Sequence, residues 1–142
     1  MSRITKAEAI ARAGSRLGLS SLVPARALPV GRADGYGLAY YLVVFGRQQG
    51  AVGVAAVDIA DGEVMTWGSL PGIRPHLSID AQSAVECAGF PSGSRARLVW
   101  KSCQGSHSPL YPLWKVRHKA RTVYVDQQGV VWQSLEGTTS GG

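Results

Sequence analysis

The chain has 142 residues, 45% hydrophobic and 17% charged, which suits one ordinary domain or two small modules sharing a core and excludes a disordered chain. Fifteen Lys and Arg against nine Asp and Glu leave a net charge of +6, which admits nucleic acid, anionic lipid or an acidic protein as partner. No run reaches the ~18–20 apolar residues of a membrane span, and Met1-Ser2-Arg3-Ile4-Thr5-Lys6 lacks the apolar centre of a secretory leader. The sequence therefore reads as cytoplasmic, or as exported if a leader has been trimmed.

In chain order, Thr5-Lys6-Ala7-Glu8 is a capping box, in which the Thr5 hydroxyl accepts from the Glu8 N–H and the Glu8 side chain reaches back to the Thr5 N–H. Ala7, Ile10, Ala11, Gly14 and Leu17 then share a helical face, Arg12 and Arg16 lie opposite, and Gly18 ends the helix. Pro24, Pro29, Gly31 and Gly35 mark residues 19–35 as a loop with room for one short strand. Residues 38–45 are β-branched and aromatic and read as a strand. A polar hairpin at 46–50, a strand at 51–59, the turn Asp61-Gly62 and a strand at 63–67 follow.

Pro71 to Pro75 forms a link. Asp80 then caps a second helix, whose face is Ala81, Ala84, Val85 and Ala88 and whose end is Gly89 and Pro91. Strands are predicted at 95–103, 113–118, 122–126 and 130–135, with a Gly/Ser loop at 104–109, a turn at Gln128-Gly129 and a frayed tail at 137–142.

The two halves resemble each other. Ile4-Thr5-Lys6-Ala7-Glu8-Ala9-Ile10 with Ala13 returns as Ile79-Asp80-Ala81-Gln82-Ser83-Ala84-Val85 with Ala88, and Val57-Asp58 to Gly62-Glu63-Val64 returns as Val125-Asp126 to Gly129-Val130-Val131. A repeat of this length predicts two helix-then-hairpin units. The pattern Ile-Thr-x-x-Glu-Ala-Ile-x-x-Ala, an aromatic strand, then Val-Asp-x-x-x-Gly-Glu-Val resembles the PepSY module. The first copy is carried by residues 4–13, 40–45 and 57–64. A degenerate second copy is carried by 79–88, 111–116 and 123–131, where Asp80 and Ser83 replace the capping box.

The resemblance implies an α+β fold of two helix-plus-antiparallel-sheet units, PepSY- or cystatin-like, packed as one pseudo-duplicated domain. Its parts are residues 1–72, residues 73–136 and the tail. It implies an inhibitory or binding role in a bacterial, usually exported protein, and brings no catalytic residue and no cofactor.

The residues themselves point the same way. His76, His107 and His118 have no metal-ligand spacing. Cys87 and Cys103 form no Cys-x-x-Cys pair and read as two reduced, partly buried thiols, with one disulfide as the alternative. Cys103 and His107 lack a third group to orient them as a nucleophile pair. Asp58, Asp61 and Glu63 sit where carboxylates serve a turn. Gly31, Gly35 and Gly37 follow no clear strand and make no phosphate loop.

The tryptophans and tyrosines, Tyr36 among them, read as mostly core. Between 113 and 118, alternation sets Leu113, Lys115 and Arg117 against Trp114, Val116 and His118. The expected function is non-enzymatic binding of a protein or peptide, peptidase inhibition included, through a sheet edge or the 104–109 loop. Tyr111, Trp114, Lys115 and Arg117 are the expected contacts. The alternative is nucleic acid or another polyanion on the basic 115–121 segment. A small-molecule carrier would need an internal apolar pocket.

Overall fold

The computed structural model describes residues 3–35, 37–47 and 49–135. Tyr36, part of the 46–50 hairpin and the 137–142 tail lie outside them. Two helices and eight strands form an α+β protein with mixed strand pairing, divided into two compact units. The first comprises residues up to Val30 together with Leu38–His76, and the second Gly31–Gly37 together with everything from Leu77. The boundary thus falls after residue 76 rather than 72, and the excursion at 31–37 was not legible in the repeat.

In the first unit, α1 (Lys6–Leu17) begins at Thr5, whose hydroxyl oxygen accepts from the Glu8 N–H at 3.1 Å. The Glu8 carboxylate accepts from the same hydroxyl at 3.3 Å instead of reaching the Thr5 N–H, a correction to the reciprocal box. Gly18 closes the helix at φ 69°, its N–H facing the Gly14 and Ser15 carbonyls.

The buried face is Ala9, Ala13 and Gly14, with Ile10 and Leu17 half-buried, whereas Ala7 and Ala11 are exposed. Alanines at helical spacing occur on two stripes that share Gly14, and the stripe of Ala9 and Ala13 is the one packed on the sheet. A Cβ at Gly14 would already touch the Phe45 ring at 3.6 Å.

The helix packs on β2 (Leu38–Arg47), β3 (Gly50–Asp58) and β4 (Val64–Ser69), in a sheet ordered β4-β3-β2-β1. Its core is Val43, Phe45, Ala55, Val57 and Ile59 against Ala9 and Ala13. Burial also raises the pKa of the Tyr40 phenol and keeps it neutral.

The fourth strand, β1 (Ala25–Arg32), fills eight residues of the segment read as a loop with room for one short strand. Pro29 obscured it, since proline cannot donate to a ladder. Here Pro29 is exposed while Ala27 and Val30 face inward.

The β2–β3 register shifts between Phe45 and Gly46, and Gly46 sits at φ 110°. A Cβ at this position would collide with the Gly50 carbonyl oxygen and approach the Val52 nitrogen to 2.9 Å. Gly46→Ala is expected to cost on the order of 2–3 kcal/mol, readable as a lower urea midpoint with an unchanged slope.

The second unit has the same element order. α2 (Ala81–Ala88) is followed by β5 (Arg95–Trp100), β6 (Leu113–His118), β7 (Arg121–Val125) and β8 (Val131–Trp132), paired antiparallel in sequence. Asp80 caps α2 by accepting from the Ser83 N–H at 2.8 Å, which holds its carboxyl below the usual range.

Gly31 and Arg32, at the end of β1, pair in parallel with Val99 and Trp100, so the expectation of purely antiparallel sheets is corrected. The strand predicted at 95–103 stops at Trp100, because Cys103 and Ser106 exchange backbone hydrogen bonds in a tight turn. The strand at 130–135 shrinks to two residues. Both cysteines are free, but Cys87 is exposed and only Cys103 is buried.

Candidate nucleic-acid interface

In the second unit, α2 covers one sheet face. Ala84, Val85 and Phe90 pack there on Val116, Val123 and Val125, with Ala96 and Trp114 half-buried beside them. Strand alternation sends the intervening side chains to the other face, and no helix among the described residues packs on it.

Register assembles that face. Arg97 stands opposite Lys115, Lys115 opposite Tyr124, and Tyr124 opposite Trp132. These four residues, from four strands, form one row across the sheet at ~4.8 Å per strand. One rung along, Arg95 stands opposite Arg117, and Arg117 opposite Thr122.

Two like-charged pairs therefore face each other directly across β5 and β6, an arrangement that destabilises a sheet. No carboxylate lies within ion-pair distance of Arg95, Arg97, Lys115 or Arg117 among the described residues. Asp34, whose charge acts on Lys115, is itself paired with Lys101 at 2.9 Å. Partial burial, then Arg97, then Arg117 lower the Lys115 pKa, with Asp34 opposing them. Three of these cations are exposed and Lys115 is half-exposed.

The aromatic end of the row is anchored. Ala33, Val99, Cys103, Leu113 and Leu135 form a small core against which Tyr124 and Trp132 are half-buried. The Trp132 indole N–H donates to Asp126 Oδ2 at 2.8 Å, and Gly105 lies so close that a Cβ would come within 2.9 Å of the indole nitrogen.

Asp126 is only 4% exposed. Its Oδ1 accepts from the Gln128 and Val130 N–H groups, closing the β7–β8 turn. Gln127 beside it accepts from the Ile79 N–H and donates to the Pro112 carbonyl.

Of the expected contacts, Lys115 and Arg117 lie on this face and the other two do not. Trp114 points to the α2 side and donates its indole N–H to the Ile79 carbonyl at 2.8 Å. Tyr111, 43% exposed, lines a separate cleft of the 104–108 loop with His107, Gln127 and Gln128.

The 115–121 segment also divides. The His118 ring sits 5.9 Å from Phe90, and the Arg121 guanidinium lies over the same Phe90 ring at 5.2 Å. Arg95, Arg97, Tyr124 and Trp132 were missed as contacts. The alternation Arg95-Ala96-Arg97 hinted at a shared face, but only register places it against Lys115.

Asp58 and Asp61 serve the turn between β3 and β4. Asp58 accepts from the Ala60 N–H at 2.7 Å and Asp61 from the Glu63 N–H at 2.9 Å. No family model, curated protein or solved structure matches this chain.

Proposed function

We propose that the chain binds single-stranded nucleic acid on the helix-free face of its second unit. The observation that carries this reading is the row Arg97–Lys115–Tyr124–Trp132. Cations placed to meet phosphates stand beside aromatic rings placed to stack bases, the combination by which sheet faces hold single strands. The opposed, unneutralised cation pairs favour the same reading, because a bound polyanion relieves the repulsion that the free fold bears. The chain acts as a binding module without catalysis.

The test is fluorescence-anisotropy titration with a short single-stranded oligonucleotide and its duplex. Tyr124→Ala is expected to weaken the single strand by roughly tenfold, within the range of one base stack, and to leave the duplex unaffected. Equal binding of single strand and duplex, indifferent to Tyr124, would reduce the face to a general electrostatic surface.

A second reading, recognition of an extended peptide with peptidase inhibition as one form of it, rests on β4. Among the described residues this strand pairs with β3 alone, and it turns Met65 and Trp67 to solvent. Trp67→Lys should abolish capture from a peptide library if this reading holds.

We also propose that the two units descend from one PepSY-like unit. Each runs helix then four strands, and each helix is capped by Thr5 or Asp80. Each third-to-fourth-strand turn is bonded by an aspartate, Asp58 or Asp126.

A further inference from the structure

At the open end of the β5–β6 ladder lies a cleft of about 440 Å³ lined by Gly93, Ser94, Arg95, Arg117, His118 and Lys119. We infer that this cleft holds the terminal phosphomonoester of a strand lying along the face. The inference rests on the nucleic-acid reading and adds to it a preference for phosphate-ended strands.

The basic track has a direction and a stop. Its first rung is Arg97 and Lys115, its second Arg95 and Arg117. Same-face rungs are ~6.8 Å apart along a strand, close to the separation of successive phosphates in an extended single strand. Beyond the second rung the ladder ends at the turn between His118 and Arg121, and Lys119 stands in that turn at the cleft wall. A backbone that followed the track would have its last phosphate there.

The composition of the cleft favours an end over a passing diester. Three cationic side chains line it, and no carboxylate does. A diester carries one charge on two free oxygens, whereas a terminal phosphate carries ≈ −1.5 to −2 on three acceptor oxygens. Three charged donors match the monoester.

Lys119 is also the one non-glycine residue with positive φ among those described, at 55°. Glycine would hold that turn with less strain. Arg121 takes no part, since its guanidinium is stacked on Phe90.

The experiment compares oligonucleotides of one sequence carrying a 5′-phosphate, a 3′-phosphate or hydroxyls at both ends, with inorganic phosphate alone as a fourth probe. One phosphate-ended oligomer is expected to bind roughly tenfold tighter than the hydroxyl-ended one. Lys119→Gly, which suits the turn and therefore keeps the fold, is expected to erase that preference and leave hydroxyl-ended binding unchanged.

Equal affinity for all three oligomers would overturn the terminal-phosphate site while leaving the face as a nucleic-acid surface. Inorganic phosphate competing as strongly as the phosphate-ended strand would also overturn it, making the cleft a free-anion site. Failure of every oligomer to bind would remove the nucleic-acid reading and the end preference together.

Discussion

Arg97→Ala combined with Lys115→Ala is expected to lower affinity for a single-stranded oligonucleotide on the order of 100-fold without weakening the fold. In a plot of log affinity against log salt, the slope should flatten by about 1.4, at about 0.7 for each phosphate no longer neutralised. Most substitutions that abolish binding either leave stability alone or reduce it. Here the two residues oppose each other across β5 and β6, and relieving one like-charged pair is worth roughly 0.2–1 kcal/mol. At low salt the double variant should melt above the parent, and the difference should shrink as salt screens the parent's repulsion.

Lys115 adds a pH signature. Its pKa is lowered in the fold, by burial first and the neighbouring arginines next. Between that lowered value and the ordinary lysine range the unfolded chain holds more protons than the folded one, so stability climbs with rising pH across the interval. Denaturant midpoints taken through it should rise in the parent and lose that rise in Lys115→Met. A double variant that bound the oligonucleotide normally would remove the row from the function.

The largest stability effect is expected at Asp126. Its carboxylate, on a residue only 4% exposed, accepts from the Gln128 and Val130 N–H groups and from the Trp132 indole. Asp126→Ala leaves three donors without their acceptor and should cost on the order of 3 kcal/mol, read from the urea midpoint. Asp126→Asn keeps one oxygen but brings an amide N–H against the indole N–H, so its cost should be smaller, about 1–2 kcal/mol.

Asp58 occupies the matching turn of the first unit, and among the described residues its side chain holds only the Ala60 N–H. Asp58→Ala should cost about 1 kcal/mol. Trp132 is tied to Asp126, so Asp126→Ala should also weaken oligonucleotide binding, whereas Asp58→Ala should not.

Local chemistry was legible in the sequence wherever a residue acts on its near neighbours. Thr5 and Asp80 cap their helices, Gly18 and Gly89 end them, and Asp58 and Asp126 close their turns. Alternation alone set Lys115 and Arg117 on one face and Trp114 on the other, as β6 bears out, yet it could not say which face α2 covers.

What stayed hidden depends on pairing between distant segments. Lys115 meets Arg97 on β5 and Tyr124 on β7, and no periodicity within 113–118 reports either neighbour. The parallel pairing of Gly31 and Arg32 with Val99 and Trp100 is hidden for the same reason, behind a segment whose prolines and glycines resemble a loop. Tyr111 was drawn to the site by nearness in sequence, and the loop between Trp100 and Leu113 carries it elsewhere.

Photo-crosslinking of the intact chain to a thiouridine-substituted single strand, followed by peptide mass spectrometry, tests the proposed face most directly. The predicted adducts fall on peptides containing Arg95, Arg97, Lys115, Arg117, Tyr124 and Trp132, and disappear as salt rises. Adducts confined to β4 around Met65 and Trp67, or spread evenly over the surface, would contradict a nucleic-acid interface on β5 to β8.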